Sequence, residues 1–191
     1  RLGWTTTNLK VIRDGLAGRT LDDVIKDGKE LKENFKYVIF CGMGGSGLSV
    51  QFVKDTFKNE AAENIYSLRT TDPTVITLMF EEIAKKEGSL KAALDKTAIM
   101  LVSKSATTPE TVEHREYFER VYKAWGLDAG KNLWFITDTI SPWGVEAQKN
   151  PQMRQREIQL NARGDVGGRF TAPGTNVFLL PMAVVAPDLI K

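Results

Sequence analysis

The stretch YVIFCGMGGSGLS, residues Tyr37–Ser49, decides how the rest of this chain is organised. It opens with the apolar run Tyr37–Phe40, which favours a β-strand, and continues into the glycine-rich turn Gly42–Gly47. Glycines adopt backbone angles that other residues avoid, and they let main-chain N–H groups approach a ligand closely. A helix that begins after such a turn offers unpaired N–H groups and the positive end of its dipole to an anion. The stretch therefore predicts an anion-binding strand–loop–helix, although the same pattern also serves to pack a helix against a strand.

Composition and charge narrow the class of protein. The chain has 191 residues, 42% of them hydrophobic and 26% charged, which fits one globular domain or one and a fraction. The net charge of +2, with Lys and Arg scattered among Asp and Glu, does not favour a nucleic-acid surface. No apolar run approaches the length of about 18 residues that a membrane span needs, so we expect no membrane partner.

The single cysteine and the single histidine carry little chemistry in the sequence. Cys41 lies inside the apolar strand and predicts a buried thiol, which suits a reducing, cytoplasmic setting. A disulfide framework or a cysteine-based zinc site is excluded within the chain. His114 falls in the helical run Glu110–Trp125 and is predicted to be a helix-surface residue. The chain opens on Arg1 and stops at Lys191 just past an apolar run, which suggests a piece of a longer protein.

Apolar runs alternate with helical patterns along the chain. Strands are predicted at 37–43, 65–70, 98–104, 132–138 and 157–161. Helix starts are indicated by a cap residue before an apolar stripe, most clearly at Asp72–Pro73, Thr108–Pro109 and Ser141–Pro142. The alternation predicts an α/β fold: a doubly wound, parallel five-stranded sheet of flavodoxin-like order 2-1-3-4-5, with helices on both faces.

Helices are also predicted next to the glycine-rich turn and at the end of the chain. Ser46 or Gly47 is expected to open the helix after the turn. The residues expected on or near its buried side are Leu48, Val50, Phe52, Val53 and Phe57. Residues 175–190 are expected to form a buried helix that is kinked at Pro181.

Two loops rich in hydroxyl and N–H groups are expected to meet at one edge of this sheet. In the order 2-1-3-4-5, the strand order reverses between the first and third strands, and ligands bind beyond their carboxyl ends. The first strand ends in Gly42–Gly47, and the third ends in SKSATTPET, Ser103–Thr111. Neither the nucleotide P-loop motif nor the dinucleotide spacing of glycines is present, so a phosphomonoester is the favoured ligand. Read singly, each loop also fits a plain helix cap or a polar turn.

These motifs resemble a known family. GMGGSG, SKSATTPET and GDVGGRFTAPGT (Gly164–Thr175) are similar to the sugar-isomerase (SIS) fold and, within it, to the phosphoglucose isomerases, over roughly Tyr37 to Pro187. The resemblance implies a helical lead-in at 1–36 and a phosphosugar-binding SIS domain at 37–191, in a parent chain with a second such domain. It also implies interconversion of glucose 6-phosphate and fructose 6-phosphate through an enediol, without cofactor or metal, by a homodimeric full-length enzyme.

The resemblance assigns roles to particular residues. It implies that Arg169 is catalytic, because a guanidinium stabilises negative charge on the enediolate. Without the resemblance, a salt bridge from Arg169 to Asp165 or another acid is the plainer reading. Residues that the resemblance places around the substrate are Gly45, Ser46, Ser103, Lys104, Ser105, Thr108 and Gly168.

Some positions depart from the family pattern. Gly47 stands where many members have Asp or Ser, which predicts one missing loop contact. Ala106 stands where Gly is common, which is harmless if its φ is negative. The glutamate base, the histidine and the late lysine of the family have no counterpart within 1–191, so the chain alone is expected to be inactive. The alternative function is a non-catalytic phosphosugar-sensing module, which would have no need of the arginine in Gly167–Thr171.

Overall fold

The computed structural model describes residues 20–158 and 172–190 of the chain. Its helices alternate with strands, as the sequence predicts. In chain order, the α-helices are α1 (Leu21–Asn34), α2 (Gly45–Thr56), α3 (Glu60–Glu63), α4 (Pro73–Glu87), α5 (Leu90–Asp95), α6 (Pro109–Ala124), α7 (Ala129–Asn132), α8 (Pro142–Lys149) and α9 (Asn176–Val185). Short 3-10 turns cover Ala172–Gly174 and Pro187–Leu189.

The strands form one parallel five-stranded sheet. They are β1 (Tyr37–Cys41), β2 (Ile65–Leu68), β3 (Thr97–Val102), β4 (Leu133–Thr137) and β5 (Arg154–Glu157). Their order is β2-β1-β3-β4-β5, which confirms the predicted doubly wound architecture. Because all strands point the same way, the loops after β1 and β3 emerge at the same edge, here called the carboxyl edge.

Each face of the sheet is covered by its own group of helices. Alternate side chains of β1 divide between the two faces, with Val38 and Phe40 packing towards α1, α2 and α9. Tyr37, Ile39 and Cys41 pack towards α4, α5, α6 and α8. Burial on both faces explains why β1, β3 and β4 read as continuous apolar runs. Cys41 is fully buried, as predicted, and this burial raises the pKa of its thiol.

The helix starts follow the predicted cap residues. The carboxylate of Asp72 accepts a hydrogen bond from Thr74 N, and the hydroxyl of Ser141 accepts one from Gly144 N. Pro occupies the first turn in both helices, where its missing N–H costs no hydrogen bond. Helix α9 contains Pro181 and is almost entirely buried between α1 and α2, in agreement with the predicted buried helix.

The fifth strand does not begin where the sequence predicts it. Strand β5 covers Arg154–Glu157, whereas 157–161 was expected and 159–161 lies outside the described residues. The strand is polar because it is the edge strand and pairs only with β4. Its arginines cover Trp134, whose ring centroid lies 5.1 Å from Cζ of Arg154 and 4.9 Å from Cζ of Arg156. The apolar pattern therefore missed a strand whose stabilising contacts are cation–π contacts and ion pairs.

The exposure of three side chains differs from the prediction. Leu48 and Phe52 of α2 were expected on its buried side, but both are exposed, Phe52 by 59%. Val50 and Val53, predicted on the same side, are buried, which confirms that part of the prediction. His114 was expected at the surface but is only 1% exposed, because α6 turns this side towards the end of β2. None of the helices in the described part of the chain is long and apolar enough to cross a membrane.

Candidate functional site

The loop after β1 leads directly into helix α2. Gly44 has φ +56° and is the N-terminal cap, so α2 begins at Gly45, one residue before the earliest predicted start. A positive φ is easily adopted only by glycine, which accounts for Gly44 at this position. No side chain caps α2, and its first turn is closed by backbone bonds from Ser46 N to Met43 O and from Leu48 N to Gly44 O, both 3.1 Å. The N-terminus of α2 therefore presents backbone donors at the carboxyl edge.

The loop after β3 is held together by its own hydroxyl groups. Ser103 is buried, and its Oγ accepts a hydrogen bond from Ala106 N at 3.1 Å and donates to Thr108 Oγ1 at 3.3 Å. Ser105 Oγ accepts from both the N–H and the hydroxyl of Thr107. Thr108 is the N-cap residue of α6, as predicted, but its hydroxyl makes no capping bond. The loop is thus folded on itself before any ligand binds.

Ala106 has the backbone conformation that the sequence could not exclude. Its φ is +55°, and no other residue in the described part of the chain except glycine has a positive φ. The negative φ under which alanine is harmless is therefore not the one observed. A left-handed conformation costs an alanine about 1–2 kcal/mol. Strain of this kind persists only where the surrounding structure enforces it, and it often accompanies functional loops.

The two loops border one cavity at the carboxyl edge. Its volume is about 130 Å³, and Met43, Gly45 and Ser46 from the first loop face Lys104 from the second. The remaining wall comes from Ile158 and from the start of α9. Ser46 is half-buried, and its hydroxyl makes no hydrogen bond with another described residue. The cavity therefore combines helix N–H groups, a hydroxyl and an ammonium group, a set of donors that suits the oxygens of a phosphate.

The residues expected at the site fall into three groups. Gly45, Ser46 and Lys104 line the cavity. Ser103, Ser105 and Thr108 do not line it but shape the loop that carries Lys104. Gly168 and Arg169 lie outside the described residues, so their proposed roles stay predictions.

The start of α9 contributes a wall that the sequence did not reveal. Thr175 lines the cavity while its hydroxyl is engaged in capping α9. Asn176 anchors this end of α9 to β5, because its Nδ2 donates to Glu157 O at 2.7 Å. Thr175 ends the motif Gly164–Thr175, but no pattern in the sequence assigns it or Asn176 to the cavity, since their place at the site depends on α9 packing beside α2.

Two carboxyl groups lie at the carboxyl ends of β4 and β5. Asp138 follows β4, and Glu157 is the last residue of β5. Burial raises the pKa of Glu157, and the neighbouring carboxyl of Asp138 raises it further. The N–H and hydroxyl of Thr139 hydrogen-bond to Glu157 and act in the opposite direction. Glu157 precedes Ile158 of the cavity wall, so a carboxyl group with a raised pKa lies beside this end of the site.

Gly47 explains one departure from the family pattern. A Cβ atom at Gly47 would lie 2.3 Å from Cγ and 2.4 Å from Cδ of Arg69, and 2.6 Å from the carbonyl oxygen of Gly42. Separations below 3 Å are not tolerated, so a side chain fits only if both Arg69 and the backbone at Gly42 move. The space beside Gly47 is thus filled by the stem of Arg69, a residue outside the motifs of the sequence.

The sheet order and the paired loops define a doubly wound α/β domain with a ligand crevice at its switch point. No family model matches the chain. It is 28% identical to a glucose-6-phosphate isomerase of Prochlorococcus marinus, over 83% of this chain and 28% of that protein. It is 25% identical to a glucose-6-phosphate isomerase of Streptococcus pneumoniae, over 98% of this chain and 40% of that protein. The chain is therefore a homologue of the glucose-6-phosphate isomerases, which confirms the resemblance of its motifs.

Solved structures show the same fold. A glucose-6-phosphate isomerase from Chlamydia trachomatis superposes with a TM-score of 0.68 at 20% identity, over 89% of this chain and 30% of that one. A hypothetical protein from Thermus thermophilus gives a TM-score of 0.69 at 23% identity, over 96% of this chain and 39% of that one. The chain spans 28% to 40% of the length of the two curated relatives named above.

Proposed function

We propose that this chain is the phosphosugar-binding domain of an aldose–ketose isomerase that interconverts glucose 6-phosphate and fructose 6-phosphate. The observation that carries the proposal is the cavity between the two loops, where Ser46 and Lys104 face the same space. Homology to glucose-6-phosphate isomerases supports the substrate class.

The described residues suit the binding of the phosphate group. The N–H groups at the start of α2 and the Ser46 hydroxyl can donate to its oxygens, and Lys104 adds positive charge. The self-bonded loop 103–108 holds the backbone of Lys104 in place, because Lys104 O accepts bonds from Thr137 Oγ1 and Asp138 N, both at 3.2 Å. Binding therefore needs little rearrangement, which lowers its entropic cost.

The isomerase chemistry requires more than this cavity. Proton transfer through an enediol needs a positioned base, and Arg169 would stabilise the enediolate charge. Since no counterpart of the family's glutamate, histidine and lysine is found in the sequence, we expect the chain alone to bind sugar phosphates without turning them over. A coupled assay that detects robust isomerase activity of the isolated chain would contradict this expectation.

The binding proposal is tested by titrating the chain with glucose 6-phosphate. Ser46→Ala removes a donor from the cavity, and we expect its Kd to rise about ten-fold, the usual cost of one hydrogen bond to a charged group. Thr108→Val loosens the loop that carries Lys104, and we expect a smaller rise.

The matched control is Ser49→Ala, one turn further along α2, because the Ser49 hydroxyl bonds only to Gly45 O within its own helix. Its affinity is expected to equal that of the wild type. An unchanged Kd in both Ser46→Ala and Thr108→Val, or no binding by the wild type, would remove the proposal.

A further inference from the structure

Arg69 lies beside the glycine-rich loop on the side away from Lys104. It is the first residue after β2, so it emerges at the carboxyl edge, next to β1 in the sheet. Its Cγ and Cδ atoms pack against Gly47 in the first turn of α2, as the lack of room for a Cβ there requires. The stem of Arg69 is therefore held against the helix turn that begins the proposed phosphate site.

The backbone around Arg69 is fixed on both sides. Leu68 O accepts a hydrogen bond from Gly42 N at 3.2 Å, and Ser67 Oγ donates to Gly47 O at 2.8 Å. The buried ring of His114 donates from Nε2 to Thr70 O at 2.9 Å, which ties this segment to α6. The residues before and after Arg69 are thus bonded to the two elements whose N-termini follow the site loops.

The guanidinium of Arg69 has no partner among residues 20–158 and 172–190 that would neutralise it. Arg69 is exposed and makes no ion pair or hydrogen bond with another residue of the described part. Other arginines differ: Arg115 pairs with Glu146 at 2.7 Å, and Arg156 pairs with Asp27 at 2.9 Å. An arginine with a fixed stem and an unpaired head is available to bind an external anion, and its planar fork matches phosphate oxygens.

The loop tip beside Arg69 has room for a ligand. Nothing lies within 4 Å of the position that a Cβ of Gly44 would occupy, and Gly44 itself is exposed. The N–H groups at the start of α2 are therefore flanked by Arg69 on the β2 side and by Ser46 and Lys104 on the β3 side.

We propose that Arg69 is a second cationic residue of the phosphate site and selects for the doubly charged phosphate of the sugar ligand. This inference rests on the proposed function, because it uses the same anion. Gly47 is part of this arrangement, because its lack of a side chain leaves room for Cγ and Cδ of Arg69 against the first turn of α2.

The test compares variants in titrations with glucose 6-phosphate at low and high salt. Arg69→Ala is expected to raise the Kd about five- to ten-fold at low salt, and the difference should shrink at high salt because exposed charges are screened. Arg69→Lys keeps the charge and should fall between the two. Gly47→Ala displaces the stem of Arg69, and its Cβ also meets Gly42 O, so it should weaken binding in the same direction. The matched control is Arg120→Ala, an exposed cation on α6, with unchanged affinity expected.

Inorganic phosphate and unphosphorylated glucose serve as probes of what Arg69 recognises. The Arg69→Ala effect should recur with phosphate and be absent with glucose. A Kd for Arg69→Ala equal to that of the wild type, while Ser46→Ala weakens binding, overturns this inference and leaves the proposed function standing. No binding of glucose 6-phosphate by the wild type overturns both. Thermal unfolding of each variant verifies that it folds.

Discussion

At the amino edge of the sheet, the carboxylate of Glu87 accepts hydrogen bonds from Lys36, Lys96 and Tyr37. At the carboxyl edge, by contrast, the hydroxyl of Ser46 and the guanidinium of Arg69 have no partner among the described residues. Glu87 is only 3% exposed, and these donors lower its pKa to about 2. The amino edge thus satisfies its charges internally. The carboxyl edge leaves hydrogen-bonding capacity for something else.

Cavity size would give the opposite assignment. A larger cavity, about 460 Å³, lies at the amino edge among the ends of α1 and α9 and the starts of β1 and β2. Its wall includes apolar side chains such as Phe35, Val38 and Ile65, and Lys36 on its rim is paired with Glu87. Unpartnered hydrogen-bond donors, more than cavity volume, therefore mark the candidate site in this fold.

The largest effect is expected from breaking the amino-edge cluster. Glu87→Gln removes the charge that Lys36 and Lys96 share, and we expect the free energy of unfolding at pH 7 to fall by about 2 kcal/mol. Urea denaturation measures this loss. The affinity for glucose 6-phosphate should not change, because the cluster lies at the opposite edge from the proposed site.

The same variant makes a pH prediction. The pKa of Glu87 lies below its ordinary value of 4.5 in the folded state, so its contribution is present above pH 4.5 and is lost as the pH falls towards about 2. The difference between wild type and Glu87→Gln should therefore shrink over that range. Glu81→Gln, an exposed position on the same helix, is the control and should stay within about 0.5 kcal/mol of wild type.

A moderate effect on the pH dependence of stability is expected from His114, which connects helix α6 to the segment after β2. Burial lowers its pKa below 6.5, although the bond to Thr70 O and the charge of Glu110 oppose the shift. The unfolded chain then takes up a proton below pH 6.5 that the folded chain does not, so stability falls as the pH drops from 7 towards 5.

His114→Gln removes this titration while its side-chain amide, which extends about as far as Nε2, keeps a donor for Thr70 O. Its stability should therefore change less between pH 7 and pH 5 than that of the wild type, as measured by urea denaturation at each pH. Glu157, which also titrates with a raised pKa, is present in both proteins and cancels in the comparison. Equal pH dependence of the two proteins would contradict the assigned role of His114.

The smallest effect is expected from relieving Ala106. Ala106→Gly removes the left-handed strain of about 1–2 kcal/mol but adds about 0.5–1 kcal/mol of backbone entropy and loses a buried methyl group. We expect stability within about 0.5 kcal/mol of wild type. Ala98→Gly, at a buried position of β3 with ordinary strand geometry, should lose about 1 kcal/mol. Equal losses in both variants would show that the φ of Ala106 carries no strain.

Local patterns were sufficient to predict most of the fold. The continuous apolar runs of β1, β3 and β4 and the capped helix starts at Asp72 and Ser141 are signals within a few residues of chain. The position of strand β5 was not predicted correctly, because an edge strand needs no apolar pattern. The surface position predicted for His114 was wrong because which side of α6 is buried depends on where β2 ends.

The candidate site divides in the same way. The positions of the two loops could be predicted from the sequence, since glycines, hydroxyls and helix caps act through local backbone geometry. It also identified the homology to glucose-6-phosphate isomerases, which the comparisons confirm. Three features became visible only in the tertiary structure. Ser46 and Lys104 share a cavity with the start of α9. Ala106 has a positive φ, and the stem of Arg69 fills the space beside Gly47. These contacts join residues distant in the chain, and the packing of the helices on the sheet sets their distances.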